Sequence, residues 1–352
     1  MLNARENMIQ VLEGGTPDRF VNQYEALSLL FHPYVLANPL FPPLGTTFEN
    51  PVANAWGVYN CWPEGNPGSF PVHDAEHVLV KDIEHWQDYV NPPSLDFSNE
   101  LWDQANEMYN AVDGTKTIKA VFVAPGLFEQ CHHMCGVDEV LAGFYECPDE
   151  MHSMIDMLVD WELKLAEGIC EHMHPEAIFH HDDWGSQDST FMSPAMFEEF
   201  YVEGYKKIYG YYHDHGVKYI IHHSDSYGAT LVPDMIEMGI NCWQGCFTTN
   251  DIPDMCAKYG DKITFMGGID NHFVDYEGWT EENCHEYVTK FLADYDLNTK
   301  GFIPCIVQGG PGSVFPGVYQ CLWDEIDAYN TEKFGFTKEQ LDEARLPISV
   351  MF

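Results

Sequence analysis

The chain has 352 residues, 45% of them hydrophobic and 14% aromatic, enough apolar material for one large core and too ordinary a composition for a disordered or fibrous protein. Its 56 acidic residues against 16 basic ones give a formal charge of −40, which repels nucleic acid and anionic membranes and disfavours a polyanionic substrate. No apolar run approaches the roughly 20 residues that a membrane-spanning helix needs, and the opening MLNARENMIQVLEGG lacks the basic-then-apolar order of a secretion signal, so a cytoplasmic protein is expected.

Short apolar runs rich in β-branched and aromatic residues recur, each followed by a helical pattern, the rhythm of βα units around a parallel sheet. In chain order the strands are predicted at Phe20 to Glu25, Ile118 to Pro125, Ala177 to Asp183, Val217 to Ser224, Ile240 to Gly245, Lys262 to Asp270 and Gly301 to Gln308. Seven are visible, and an eighth must be irregular or hidden. Amphipathic stretches such as Pro148 to His172 and Pro194 to His215 supply the outer ring, with Ser193-Pro194 as a helix start. The segment from Phe31 to Pro93 is dense in Pro, Gly, Asn, Trp and Tyr and has no sustained period. It reads as a long insertion over the mouth of the barrel, with a hairpin around Gly57 to Val72, and long insertions of this kind are usually functional. No repeat or linker divides residues 1–352, which form one α/β domain, a single (β/α)8 TIM barrel. Eleven cysteines without a CxxC pair are read as reduced thiols; several, such as Cys242 and Cys246 near a predicted strand end, could face a pocket, a buried inert thiol being the commoner fate of any one of them.

In such barrels the reactive groups sit at the C-terminal ends of the strands, where the loops converge. That rule turns the strands into a site: Tyr24 and Glu25, Asp182 and Asp183, His222, His223 and Asp225, Gln244, Asp270, and Gln308. Adjacent carboxylates push one pKa upward, so that one of Asp182 and Asp183 stays a proton donor near neutrality while the other caps a helix. Asp270, in GGID, has two glycines before it that allow close backbone approach, with helix capping as the competing role. Successive strand residues point to opposite sides, so one of His222 and His223 faces the mouth. Phe31, Trp56, Tyr59, Trp62, Phe70 and Trp184 offer flat apolar surface to a planar ligand.

Several segments together resemble the uroporphyrinogen decarboxylase superfamily, in its corrinoid-dependent methyltransferase branch. They are ARENMIQVLEGGTPDR, NAWGVYNCWPEG, HHDDWGSQDSTFMSPAMFEEFY, GVKYIIHHSDSYGATLVPDMIEMGIN and KYGDKITFMGGID. The match is specific as an ordered set over most of the chain. Two departures narrow what it implies. Members that act on uroporphyrinogen hold its carboxylates with an arginine-rich N-terminal motif, whereas the equivalent VNQYEALSL has no basic residue. Members that serve a thiol acceptor hold zinc with a histidine of an H-x-C motif and a later cysteine. Here His222 is kept, Ser224 replaces the cysteine, Gly309 or Gly310 falls near the second cysteine position, and Cys305 lies close but out of place. A thiol acceptor is therefore disfavoured, and activity is expected to survive a chelator, or zinc to be present in substoichiometric amount. An N/O zinc site from His222, His223, Asp225, Asp182 and Asp183 matches no recognised set, which leaves the metal open.

The resemblance then implies a methyltransferase that demethylates a small donor, expected to be an aromatic (phenyl) methyl ether, and passes the methyl to a cobalt(I) corrinoid (cobalamin) on a separate protein. His222, Asp183, Asp182 and Asp225 are the expected catalytic residues, with His222 inward by family position. Tyr24, Trp184, His223, Gln244, Asp270 and Gln308 are the expected substrate contacts. The alternative is a decarboxylase acting on a smaller carboxylate, with Asp182 or Asp183 handling the proton. Partners are the corrinoid protein and the ether, with a homodimer still to be considered.

Overall fold

A computed structural model describes residues 1–39, 41–66, 68–310 and 314–347. Seven strands form one wholly parallel sheet: β1 (Leu27–Leu30), and, after three short strands treated below, β5 (Ile118–Val123), β6 (Ala177–His181), β7 (Tyr219–His223), β8 (Cys242–Cys246), β9 (Thr264–Ile269) and β10 (Phe302–Ile306). They pair strictly in that order, and helices such as Leu127–Cys135, Pro148–His172, Glu203–Asp214, Ile252–Tyr259 and Glu281–Leu292 carry the crossovers. The sheet curls because one face of it packs on itself. Leu27, Phe122, Phe179, Ile221, Cys242, Met266 and Ile303 share one apolar cluster, while Val121, Ile178, Ile220, Trp243, Phe265 and Phe302 pack outward against the helices. This is a TIM-barrel-like half-barrel.

Among the described residues no eighth strand joins β1 to β10; the helices Ala4–Leu12 and Gln23–Ala26 lie against β10 in that gap. The first strand is the one element displaced from its expected place. Phe20 to Glu25 is not a strand: Phe20 bonds through its backbone to the Asn330 side chain, and Gln23–Ala26 is a helical turn. Glu25 reaches back to the Asn22 amide and pairs with Arg19 at 2.5 Å, which folds these residues into a capped turn and leaves the apolar Leu27–Leu30 to enter the sheet.

The insertion carries a small antiparallel sheet of β2 (Val52–Ala53), β3 (Tyr59–Cys61) and β4 (Phe70–Pro71), the hairpin expected around Gly57 to Val72. Its anchors lie on the helices Leu127–Cys135 and Pro148–His172. Trp56 packs 5.0 Å from Trp161, the Val80 amide bonds to the Met134 carbonyl, and His73 Nε2 lies 3.1 Å from the His133 carbonyl. Among the described residues no helix is long and apolar enough to cross a membrane. The eleven cysteines are unpaired. Cys242 is enclosed in the barrel interior and Cys246 packs outward, and burial pushes both thiols well above their ordinary range, so neither serves the mouth.

Candidate active site

The alternation of each strand decides which polar side chains reach the barrel interior. On β6 Phe179 faces in, so His180 faces out and His181 faces in; on β7 Ile221 faces in, so His222 faces out and His223 faces in; on β8 Cys242 and Gln244 face in and Trp243 out. Register places His181 beside His223 and His223 beside Gln244. The result is a polar row at the C-terminal end of the barrel. His181 and His223 stack with ring centroids 4.2 Å apart.

Each member of the row is held by a partner. His181 Nδ1 lies 2.7 Å from Glu129 Oε2, and His223 Nδ1 donates to the Gln244 carbonyl oxygen. Gln244 in turn donates its amide to Gln23 Oε1 at 2.9 Å. Asp183 Oδ1 accepts the Asp225 amide at 2.8 Å and stands 3.8 Å from His223 Nε2. Asp225 Oδ2 accepts from Gln308 Nε2 at 2.9 Å, and Asn271 ties the Gln308 backbone to the loop after β9 through both its amide atoms.

The electrostatics follow from burial and from this crowding of acids. Burial opposes charge on His181, but the Glu129, Asp183 and Asp225 carboxylates outweigh it and raise the imidazole to about 10. Burial pushes Glu129 up to about 7, and burial with the nearby Asp183 carboxylate drives Asp225 well above the carboxylate range. His223 is held down to about 4 by burial and by its neighbour His181, so it is a neutral imidazole at pH 7.

Four expected residues stand elsewhere than the sequence placed them or serve the scaffold. His222 faces away from the mouth: it is fully buried between sheet and helices, bonded to Tyr209 Oη at 2.8 Å and to the Asp182 carbonyl at 3.2 Å. Ile221, packed in the barrel, fixes that phase, and His223 takes the inward position. Asp182 turns outward and accepts from the Phe128 and Glu129 amides, Trp184 Nε1 and Tyr205 Oη, so it is the cap of the helix Leu127–Cys135, and burial pushes it up to about 6. This close seat needs Gly126, where a Cβ would fall 2.5 Å from Asp182 Cβ. Trp184 is wholly buried and stacks 4.0 Å from the His222 ring, out of reach of a ligand at the mouth. Asp270 accepts from the His272 amide and ring at 3.0 Å and starts a helical turn; the glycine argument holds, since a Cβ on Gly267 would meet the Cys246 carbonyl at 2.5 Å.

Tyr24 stands at the barrel wall beside Gly310 and Tyr319. Of the insertion aromatics, Phe31 comes nearest the site, edge-on to Phe122 at 6.3 Å, and Phe122 lies 6.4 Å from His181. Trp56, Tyr59, Trp62 and Phe70 are spent on Trp161, His77, Phe41 and Phe48. Sequence reasoning missed His181, Glu129 and Gln23. For His181 the signal was its place two residues after Phe179 in a strand about to end in Asp182-Asp183.

The residues 55–327 match the family model described as Uroporphyrinogen decarboxylase (URO-D). The chain belongs to the uroporphyrinogen decarboxylase family. No curated protein matches it. Among solved structures, a methyltransferase from Methanosarcina mazei superposes with a TM-score of 0.62 at 12% identity, covering 94% of this chain and 99% of that one. A Cellulomonas fimi endo-beta-1,4-mannanase double mutant gives 0.42 at 14% identity over 98% and 78%. The first likeness establishes the shared fold along nearly the whole length; the second is too slight to argue from. The chain's three arginines, Arg5, Arg19 and Arg345, are all committed to carboxylates, namely Glu176, Glu25 and Asp327.

Proposed function

We propose that the chain is a cytoplasmic methyltransferase that removes the methyl group from an aromatic methyl ether and passes it to a corrinoid on a separate protein. The observation that carries this reading is the inward row of Glu129, His181, His223, Asp183 and Asp225 at one barrel mouth, beside the aromatic wall of Phe31 and Phe122. Such a site holds and moves protons next to a flat apolar surface. The likeness in fold to the Methanosarcina mazei methyltransferase supports the same reaction class. The engagement of every arginine by an acid speaks against a substrate with many carboxylates, and so against the family's decarboxylation of a tetrapyrrole.

Bound at the mouth, the corrinoid would supply the cobalt(I) nucleophile that accepts the methyl carbon. What the chain must supply is help to the oxygen. As the carbon–oxygen bond breaks, its electron pair passes to the ether oxygen, and a proton must meet it there to release a phenol. Asp225 is the proposed donor, because burial and Asp183 shift its carboxyl toward the protonated form and Gln308 holds it in place. Asp183, His181 and His223 form the polar face against which the oxygen rests.

The test is incubation of the chain with a reduced corrinoid protein and a panel of aryl methyl ethers, methanol and methylamines, with the cobalt spectrum followed and phenols measured. Conversion of cobalt(I) to methyl-cobalt(III) with stoichiometric phenol from an aryl ether supports the proposal. No change with any ether, or methylation from the amines alone, overturns it.

A further inference from the structure

We propose that His181, His223 and Asp183 form a site for one divalent transition-metal ion, zinc by preference, with two imidazole nitrogens and one carboxylate oxygen as ligands. One ligand atom from each of the three lies within 4.8 Å of the others. Small side-chain rotations bring such atoms to the roughly 2.0–2.2 Å that zinc requires from nitrogen and oxygen.

The partners of the two imidazoles prepare them as ligands. A histidine that binds metal through one ring nitrogen gives the hydrogen of the other to a carboxylate or carbonyl, which fixes its tautomer and aim. His181 has Glu129 at its Nδ1, and His223 has the Gln244 carbonyl at its own. Gln23 supports this orientation of the Gln244 amide, which donates to it at 2.9 Å. Both Nε2 atoms are thereby left to face the mouth. Neighbouring strands in register and a ring stack of 4.2 Å set them side by side, and Asp183 comes in from the loop after β6, fastened by the Asp225 amide. The 3.8 Å between Asp183 Oδ1 and His223 Nε2 is too long for a hydrogen bond and suits two ligands of one ion. Glu129 also lies near His132 and His133, but its bond to His181 makes it a support of this site.

The set differs from the thiol-activating zinc that the resemblance brings in. It draws two of its ligands from β6 and the residues just after it, and it holds no thiolate, Cys305 being turned toward Gln244 at 3.8 Å. Three protein ligands leave one position open for water or a substrate oxygen, as in catalytic zinc sites. The cysteine replacements therefore remove one kind of zinc site without removing the capacity to bind zinc. The proposal stands on ligand geometry alone, and its test does not depend on the reaction assigned above.

The test uses the whole chain, stripped with a chelator and titrated with Zn2+ in competition with a chromophoric chelator, and separately with Co2+ under visible spectroscopy. About one equivalent of either ion should bind, with a four- or five-coordinate cobalt spectrum free of thiolate charge-transfer bands. His223→Gln and Asp183→Asn should each weaken zinc at least tenfold, and Glu129→Gln roughly tenfold to a hundredfold, while His222→Gln leaves the affinity unchanged. Less than a tenth of an equivalent bound, thiolate bands in the wild-type cobalt spectrum, or affinity indifferent to the folded ligand variants would overturn the proposal. Should a variant fail to fold, the wild-type cobalt spectrum decides.

Discussion

His181 and His223 stand face to face at the barrel mouth with centroids 4.2 Å apart, and each commits its Nδ1 to a different acceptor, Glu129 for the first and Gln244 for the second. The pair is asymmetric in charge, because three carboxylates raise His181 while burial and that same neighbour lower His223. One ring can therefore carry a positive charge while the other stays neutral within the same row.

That asymmetry rests on Glu129. Glu129→Gln keeps the size and an acceptor oxygen but removes the charge, so turnover should fall roughly tenfold to a hundredfold while the melting temperature moves little. Single-turnover kinetics beside a thermal melt would check this. Unchanged turnover would mean that Glu129 only fills space.

The two adjacent histidines of β7 should separate cleanly by assay. His222→Leu abandons bonds to Tyr209 and to the Asp182 carbonyl and should cost about 1–3 kcal/mol in stability with little loss of turnover in the folded fraction. His223→Gln should do the reverse. Asp182→Ala, which strips four buried donors of their acceptor, should cost about 3 kcal/mol or more. Urea unfolding with activity measured on the same samples distinguishes them; a catalytic loss in His222→Leu at full stability would contradict the placement.

This contrast also shows what was legible in the sequence. The strands β5 to β10 announced themselves as apolar β-branched runs, and the strand-end rule pointed to Asp183, His223, Asp225, Gln244 and Gln308, which the structure gathers in one polar cluster. The phase of β7 was not legible, because Tyr219, Ile220 and Ile221 are apolar on both faces, as strands buried on both sides must be. Only the packing of Ile221 inside the barrel reveals which histidine points inward. Glu129 lies 52 residues from His181, and no local pattern joins them. The first strand was misplaced because Phe20 and Val21 look like a strand start, whereas the Arg19–Glu25 ion pair that bends the chain is a tertiary interaction.

Asp225→Asn should lower turnover by roughly a hundredfold or more while leaving ether binding largely intact, as expected for a group acting in the transition state. Ethers whose phenol is more acidic should lose less, since a better leaving group needs less proton donation. A loss of equal size across the series, read from turnover against the pKa of the phenol, would remove Asp225 as the donor.

Acid should destabilise the fold through His32, buried beside Tyr34 and held by burial to about 3 against the ordinary 6.5. Its folded value is depressed, so its neutral form contributes fully above pH 6.5 and the contribution is lost as pH falls toward 3, where the unfolded chain binds the proton first. The slope from this group approaches about 1.4 kcal/mol per pH unit. His32→Phe should flatten the dependence of urea midpoints between pH 6.5 and 4; an unchanged slope would assign the acid sensitivity to other groups.

The central claim, methyl transfer from an ether, is tested most directly by following the methyl carbon itself. An aryl ether labelled with 13C in its methoxy group is mixed with the chain and excess cobalt(I) corrinoid protein, and carbon NMR is recorded after a single turnover. The label should appear as a cobalt-bound methyl with one unlabelled phenol released for each, and it should appear there roughly a hundredfold more slowly when Asp225→Asn replaces the wild type. Label left in the ether while the same preparation releases carbon dioxide from a small carboxylate would contradict it and establish the decarboxylase reading instead.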